Sequence, residues 1–467
     1  MKPVLLIDFG STYTKVTAVD LDDQQLLGTA DSFTTIQTDV GEGLQNALEK
    51  LHAKTGPLTY AARYACSSAA GGLRMVTSGL VPELTAEAAR QASLGAGAKV
   101  LKVYSFQLTE DDVEEILAIN PDIFLLVGGT DGGNVEVILH NAKMLAAADF
   151  AFPVIIAGNR TAARECQRIL AGHETHIVEN VMPKFGVLNI EPARKKIREI
   201  FLNRIIQAKG LTKAAELIDG ILMPTPSAVM KSTRLLAQGC EGESGIGDLI
   251  CVDVGGATTD IYSMADGMPG DAATVYKGLP EPYDKRTVEG DIGMRYSIRG
   301  IVEAAGLPRI CQLSGLDAGC AQGLIDTICE HTDMIPEPGS DLEKLDFALA
   351  SMAIETAVAR HAGTMEETYT LMGKTYVQSG KDLRRVRQVV VTGGSLIRTA
   401  RTGEIAAHSF YSPADPMSLR PMKADIHVDR KYILAAMGLL SEYDPTAALR
   451  IMKKELEYNG YSEQANS

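Results

Sequence analysis

The chain has 467 residues, of which 45% are hydrophobic and 22% charged, so wholesale disorder and a single compact core are both excluded. A formal net charge of −14 disfavours nucleic acid or an anionic membrane as the main partner. No stretch approaches the ~18 unbroken apolar residues of a spanning helix, and no two cysteines form a C-x-x-C pair. We therefore expect a cytoplasmic protein of two or three domains with reduced thiols.

The first predicted elements are a β-meander over residues 4–30 and a helix over Gly43–Lys54. Between residues 98 and 180 the pattern changes, because short continuous apolar runs alternate with amphipathic segments. This alternation is typical of a parallel sheet with helices on both faces. We therefore predict a self-contained, doubly wound α/β subdomain at about 62–185.

A glycine-rich loop at Gln238–Gly247 follows two further helical patterns and predicts a domain boundary. We expect the first domain to comprise 1–245 plus 430–467, with the α/β subdomain inserted in it. The second domain is then 246–429.

A second β-meander is predicted after this boundary, beginning at Leu249–Val254 and returning at Ala273–Tyr276. Helices follow at 292–305 and over much of 341–378. The strand Val386–Val391 then ends in a Thr-Gly-Gly-Ser turn.

The first loop of each meander carries the same pattern of an Asp, a Gly, small residues, a Thr, a charge and a β-branched residue. The two copies are Asp8-Phe9-Gly10-Ser11-Thr12-Tyr13-Thr14-Lys15-Val16, the first hairpin, and Asp253-Val254-Gly255-Gly256-Ala257-Thr258-Thr259-Asp260-Ile261, the second hairpin. One such loop is explained equally well as a tight turn. Two in matching contexts predict a duplicated fold in which the hairpins face each other.

Both hairpins have the chemistry of a triphosphate site. Their glycines allow backbone N–H groups to approach phosphate oxygens closely. Asp8 and Asp253 end the preceding strands, where a carboxylate can hold hydrated Mg²⁺ through its water shell. Side-chain donors are available from Ser11, Thr12, Thr14, Lys15, Thr258 and Thr259.

A third segment, Val389–Ile397, runs from a strand through Gly393-Gly394-Ser395 into a predicted helix. A flat adenine and its ribose could lie against the bare backbone there. An ordinary strand–helix turn explains the same residues.

In this order the three segments resemble the two phosphate motifs and the adenosine motif of the actin, Hsp70 and sugar-kinase ATPase superfamily. The stretches Ala65–Leu73, Gly79–Ala89 and Leu125–Gly133 resemble the GlmL/MutL family. Members of that family accompany adenosylcobalamin-dependent glutamate mutase and are unrelated to the mismatch-repair protein MutL. The resemblance spans roughly 1–450 and implies two RNase H-like domains around a nucleotide cleft.

The resemblance also implies a function: an ATPase that uses ATP and Mg²⁺ to reactivate a B12 mutase by exchanging damaged cobalamin for intact coenzyme. Asp253 is then expected to orient the attacking water, with Asp8 and Asp291 as further catalytic candidates that the sequence does not separate. Inter-domain connections are expected at Glu289–Gly293 and Ala435–Gly438. The implied nucleotide-binding residues are Gly10, Ser11, Thr12, Tyr13, Thr14, Lys15, Gly255, Gly256, Thr258, Asp260, Gly393, Gly394 and Ser395.

Other interpretations remain open at this point. The same fold could carry a small-molecule kinase or a scaffold protein without turnover. The loop Gly128–Gly133 could bind an anion at a helix N-terminus or form a β–α turn. Met372–Thr375 mimics the end of a P-loop, but we expect a helical surface segment there. The inserted subdomain is the expected docking surface for the mutase.

Overall fold

In a computed structural model of the chain, the described residues are 1–10, 13–33, 40–68, 73–208, 220–271, 273–370 and 373–461. The strands are β1 (Pro3–Phe9), β2 (Tyr13–Asp20), β3 (Gln25–Phe33), β4 (Ala62–Ser67), β5 (Leu73–Gly79), β6 (Ala98–Ser105), β7 (Ile123–Leu126), β8 (Val154–Ile156), β9 (Thr175–Ile177), β10 (Gly220–Pro224), β11 (Gly239–Cys240), β12 (Glu243–Ser244), β13 (Leu249–Val254), β14 (Thr259–Met264), β15 (Thr274–Lys277), β16 (Asp284–Glu289), β17 (Thr364–Thr370), β18 (Gly373–Ser379), β19 (Gln388–Thr392), β20 (Asp425–Val428) and β21 (Glu457–Tyr461).

The α-helices of the described residues are Val40–Thr55, Glu87–Gly95, Glu110–Ile119, Glu136–Ala146, Arg160–Ile169, Glu191–Ala208, Thr225–Gln238, Ile298–Ala305, Leu307–Ser314, Ala318–Glu330, Asp341–His361, Gly394–Ile397, Thr402–Ala407, Leu434–Leu440 and Pro445–Glu455. A π-helical turn, Pro82–Ala86, precedes the second of them. None of the described helices is long and apolar enough to cross a membrane.

The chain divides into two compact units. Unit 1 consists of Met1–Ser232 and Ala435–Ala448, and unit 2 consists of Thr233–Leu434 and the residues from Leu449 onward. The predicted first domain, 1–245 plus 430–467, differs from unit 1 at both ends. The reason at the C-terminal end is that β21 pairs antiparallel with β20, a strand of the second unit's sheet.

The sheet of unit 1 has five strands in the order β10-β4-β1-β2-β3. Strands β1, β2 and β3 form the predicted antiparallel meander. Strand β4 runs parallel to β1, and β10 runs parallel to β4. The helix Val40–Thr55 packs on β2 and β3. Its residues Leu44, Ala47 and Leu51 recur at helical spacing and are buried, which explains the packing.

The sheet of unit 2 repeats this arrangement, with strands in the order β16-β14-β13-β19-β20-β21. β13, β14 and β16 form an antiparallel meander, and β19 and β20 continue it in parallel. The first five strands therefore match unit 1 in order and direction. The predicted α/β class and the duplication are confirmed.

The predicted strand Ala273–Tyr276 forms as β15, but its predicted place as the third strand of the second meander is wrong. β15 instead joins β17 and β18 in a separate three-stranded sheet. The true third strand is β16, whose polar residues Lys285, Arg286 and Thr287 are buried. The sequence pattern did not predict this strand, because a buried strand is normally recognised by its apolar residues and these are polar.

A further five-stranded sheet has the order β6-β5-β7-β8-β9, and all of its strands are parallel. This is the 2-1-3-4-5 order of doubly wound folds, which confirms the predicted doubly wound α/β sheet. It covers 73–177, since β4 belongs to the sheet of unit 1. Its core contains Phe124, Leu126, Ile138 and Val154.

The helix predicted over much of 341–378 ends at His361 and is followed by the hairpin of β17 and β18. Met372 lies outside the described residues, and Gly373–Thr375 belong to β18, so the helical interpretation of that stretch is wrong. The consecutive residues Thr375, Tyr376 and Val377 have high strand propensity and favour a strand there. The helix predicted over 292–305 forms only from Ile298 onward.

Candidate functional site

The first hairpin closes tightly between β1 and β2. The backbone N–H of Gly10 donates to the carbonyl of Tyr13 at 3.1 Å. A Cβ on Gly10 would lie 2.5 Å from that carbonyl oxygen, so the turn requires glycine. Ser11 and Thr12 lie outside the described residues. The ring of Tyr13 stacks on that of Phe33 at 4.6 Å.

Asp8 is the centre of a cluster at the end of β1, where its side chain is only 6% exposed. The hydroxyl of Thr225 donates to its Oδ1 at 2.6 Å, and the Cys66 thiol lies 3.6 Å from the same oxygen. Lys15, the cross-strand partner of Asp8, places its Nζ 3.6 Å from Oδ2. Thr14, next to Lys15, is fully buried.

The Cys66 thiol is held in its protonated form. Burial raises the pKa of Cys66 well above its usual value, and the negative charge of Asp8 raises it further. A protonated thiol can donate to the carboxylate, whereas a thiolate would repel it. Cys66 is therefore placed to donate to Asp8.

The second hairpin closes in the same way, since the N–H of Gly255 donates to the carbonyl of Thr258 at 2.9 Å. The N–H groups of Gly256 and Ala257 at its tip have no acceptor among the described residues. A Cβ on Gly256 would meet nothing nearer than the Tyr296 ring at 3.7 Å. The tip therefore offers two backbone donors, while Gly255 serves to close the turn.

The charges of the second hairpin differ from those of the first. Asp253 faces Asp260 across the strand pair, and the Nε of Arg286 donates to Asp260 at 2.8 Å. The Arg286 side chain is only 4% exposed. The hydroxyl of Tyr432 donates to Asp253 at 3.3 Å. Asp260, predicted to contact nucleotide, is thus engaged by a buried guanidinium, and the Thr258 hydroxyl lies 3.4 Å from its other oxygen.

The segment after β16 forms hydrogen bonds with the second hairpin. The N–H of Met294 donates to the carbonyl of Gly255 at 3.1 Å, and that of Arg295 donates to Gly256 at 2.8 Å. The hydroxyl of buried Thr259 donates to the carbonyl of Ile292 at 3.0 Å. This packing fixes the hairpin from one side.

The predicted connection at Glu289–Gly293 therefore lies wholly inside unit 2, and this assignment is wrong. The chain first crosses between the units after Ser232, within the helix Thr225–Gln238. It returns at Ala435, where the second connection was predicted.

Asp291 lies on the surface of unit 2, with its side chain 58% exposed. Arg360 is shared between the two carboxylates at this end of β16. Its Nη1 is 2.7 Å from Glu289 and 3.3 Å from Asp291. An exposed ion pair of this kind holds Asp291 only weakly.

The predicted adenosine segment lies beside the second hairpin. Thr392, at the end of β19, is the register partner of Asp253. Gly393 has φ = +107° and packs so tightly against the Val254 carbonyl that no side chain would fit. Gly394 is exposed, and Ser395 is half-buried in the short helix that follows. The structure thus brings these residues together with Asp253.

The loop Gly128–Gly133 is held by two buried asparagines. Asn159 Nδ2 donates to the carbonyl of Gly133 at 3.1 Å, and Asn180 Nδ2 donates to that of Gly129 at 3.0 Å. Gly129 has φ = +71°, which suits glycine. These contacts support the β–α turn rather than an anion site.

Four contributors to the site were missed by sequence reasoning: Cys66, Thr225, Arg286 and Tyr432. Each contacts a hairpin from a segment outside it: Cys66 and Arg286 lie on strands, Thr225 begins a helix, and Tyr432 lies in the loop before Leu434–Leu440. No local pattern marks such residues, because only the tertiary fold brings them to the hairpins.

The residues fit Mg·ATP, which is the ligand that the hairpins predict. Asp8 and Asp253 supply carboxylates at strand ends, suited to a hydrated magnesium ion. The glycine tip supplies backbone donors. The described residues contain no group of three His, Cys, Asp or Glu residues that could bind a metal ion directly.

Comparison with known proteins decides the family. The family model described as MutL protein matches residues 4–456. The chain belongs to this MutL family. Protein MutL of Clostridium tetanomorphum, a member by name, is 49% identical over 460 residues, which cover 98% of this chain and 99% of that protein.

Two solved structures of other proteins are only distantly similar to this MutL-family chain. A nucleotide-free acetone carboxylase has a TM-score of 0.40 at 14% identity, covering 94% of this chain and 70% of that one. A nucleotide-free diol dehydratase-reactivating factor has a TM-score of 0.35 at 11% identity, covering 95% of this chain and 100% of that one. Such low scores carry no functional argument. The fold rests on the strand orders.

Proposed function

We propose that this MutL-family protein is an ATPase whose two hairpins bind Mg·ATP. One observation carries the proposal: two hairpins close with the same hydrogen bond at matching positions, two residues after an aspartate at a strand end. A single turn of this kind has a purely structural explanation. A matched pair in two halves of a duplicated fold favours a shared ligand.

The two hairpins contribute different groups for binding phosphate. Lys15 gives the first hairpin a positive charge for a phosphate group, and the tip N–H groups of Gly256 and Ala257 give the second hairpin two donors. Asp253 is the residue that orients the attacking water, because its carboxylate stands at the strand end beside these donors. Bound Mg²⁺ supplies charge neutralisation for the phosphates.

We further propose that ATP turnover reactivates an adenosylcobalamin-dependent mutase, glutamate mutase or a related aminomutase, by exchange of damaged cobalamin. Membership of the MutL family supports this proposal, since the family resemblance implies such a partner. The inserted sheet β5–β9 is the docking surface in this account. It is a complete doubly wound layer of its own, additional to the two repeated sheets.

The test is ATP hydrolysis by Asp8→Asn and Asp253→Asn, with Asp149→Asn as the control. Asp149 is an exposed residue between the helix Glu136–Ala146 and β8, outside both hairpins. Loss of one preorganised charged group should lower the rate by ~10² or more in the first two variants and leave the control unchanged. Parental rates in both test variants, with the fold intact, would rule out the site. Rapid phosphorylation of a metabolite would instead favour the kinase interpretation.

The mutase proposal needs its own experiment. An inactivated B12 mutase is incubated with the protein, Mg·ATP and fresh adenosylcobalamin, and recovered mutase activity is measured. A variant in which a short linker replaces 73–185 should still bind ATP but give no recovery. Full recovery with this variant would exclude the inserted subdomain as the docking surface.

A further inference from the structure

Thr225 joins the first hairpin to the helix that carries the chain between the units. It follows β10 directly and begins the helix Thr225–Gln238. Its hydroxyl donates to Asp8 Oδ1 at 2.6 Å, the shortest side-chain contact of that carboxylate with any described residue. The chain leaves unit 1 after Ser232, within the same helix.

The two oxygens of Asp8 face different groups. Oδ1 accepts from Thr225 and lies beside the Cys66 thiol, whereas Oδ2 faces the Nζ of Lys15 at 3.6 Å. The short hydrogen bond from Thr225 restricts rotation of the carboxylate. The Thr225 hydroxyl therefore contributes to directing Oδ2 toward Lys15.

The helix itself is firmly packed within unit 1. Its Ala228 carbonyl lies against Gly438, so closely that no side chain would fit at that glycine. Gly438 belongs to the segment in which the chain has returned to unit 1. The segment that leaves unit 1 and the segment that returns to it therefore contact each other at Ala228 and Gly438, three residues along the helix from Thr225.

We infer that Thr225 is a positioning residue, which orients Asp8 toward Mg·ATP and ties its position to the crossing helix. The inference rests on the proposed function and adds a residue to it. Any movement of Asp8 on nucleotide binding changes the Thr225 hydrogen bond, and the first turn of the helix responds.

The experiment compares Thr225→Val, Thr225→Ser and the control Thr233→Val. Thr233 is a buried threonine eight residues along the same helix, and its hydroxyl bonds to the Cys251 thiol instead of to Asp8. The control therefore makes the same isosteric change and removes a comparable hydroxyl. Calorimetric titration measures Mg·ATP affinity, and thermal unfolding without nucleotide measures stability.

We expect Thr225→Val to weaken Mg·ATP binding by about 10- to 100-fold, the usual cost of losing an outer partner of a metal-site ligand. Thr225→Ser keeps the hydroxyl and should bind nearly as the parent does. Hydrogen exchange should also show that Mg·ATP protects the first turn of Thr225–Gln238 in the parent and in Thr225→Ser, but not in Thr225→Val.

The outcomes separate the two proposals. If the parent binds Mg·ATP and Thr225→Val binds equally well, the positioning role is excluded while the proposed function stands. Equal loss in Thr225→Val and Thr233→Val would also exclude it, since the effect would then be structural. If the parent itself fails to bind Mg·ATP, both the proposed function and this inference are wrong.

Discussion

The two hairpins share a backbone and differ in charge. Each closes with one N–H to carbonyl bond, at 3.1 Å in the first and 2.9 Å in the second. Across the strand pair, however, Asp8 faces a lysine, whereas Asp253 faces a second aspartate whose charge is matched by buried Arg286. Duplication thus preserved the turn, and the charged positions diverged.

This difference assigns different roles to the two halves. The first hairpin brings a positive charge, Lys15, whose side chain is 23% exposed and can reach a ligand. The second brings backbone donors and a carboxylate, and the guanidinium of Arg286 beside it is engaged by Asp260. In the proposed function, one half binds phosphate by charge and the other by its backbone.

The largest expected effect comes from removing the buried charge of the second hairpin. Arg286→Met leaves the carboxylate of Asp260 without its buried partner, opposite Asp253. Breaking a buried ion pair in this way should lower the free energy of unfolding by about 3–5 kcal/mol. Urea denaturation measures it. The double variant Arg286→Met with Asp260→Leu should recover most of the loss, and failure to recover would mean that the charge pair is not the cause.

The next effect tests whether the two turns are equally tight. A Cβ at Gly10 would lie 2.5 Å from a carbonyl oxygen, and one at Gly255 would lie 3.0 Å from its counterpart. Gly10→Ala should therefore cost about 1–3 kcal/mol of unfolding free energy, and Gly255→Ala less. Gly256→Ala is the matched control, because its Cβ would have 3.7 Å of space. Equal losses in all three variants would contradict the geometry.

Lys15→Met tests the difference in charge directly. Its ion pair is partly exposed, so the unfolding free energy should change by less than about 1 kcal/mol. ATP affinity should nevertheless fall by about tenfold or more, since a charge-assisted phosphate contact is lost. Calorimetry and denaturation together separate the two effects. Unchanged ATP affinity would remove the first hairpin from the phosphate site.

The smallest effect concerns the buried thiols behind the hairpins. Burial raises the pKa of both Cys66 and Cys251 well above 9.0, and the nearby aspartates raise it further. The folded thiols therefore keep their protons when the unfolded chain loses them, so each contributes a loss of stability as pH rises above about 9. Cys66→Ala and Cys251→Ala should each flatten the decline in unfolding free energy between pH 8 and 10.5. A slope identical to the parent's would contradict the burial.

Sequence patterns predicted the parts of the fold where local composition and tertiary environment agree. In β1 and β13 of the two hairpins, and in β7 of the inserted sheet, most buried residues are apolar. Strand β16 was not predicted because its buried residues are polar and charged. Strands β17 and β18 were not predicted because an exposed hairpin has few apolar residues to reveal the strand period.

The candidate site was predictable only in its glycines and aspartates. Asp8 and Asp253 are recognisable because the motif recurs, and recurrence is visible in the sequence. Thr225 and Arg286 are not, since each reaches the hairpin from another strand or helix. Such contacts depend on strand order, which no local pattern reveals.

The most direct test of the account is a crystal structure with Mg²⁺ and a non-hydrolysable ATP analogue. The account predicts phosphate oxygens at hydrogen-bond distance, about 3 Å, from the N–H groups of Gly256 and Ala257, and within reach of the Nζ of Lys15. It also predicts the metal's water shell against Asp8 and Asp253. A nucleotide bound away from either hairpin, or no bound nucleotide at saturating concentration, would contradict it.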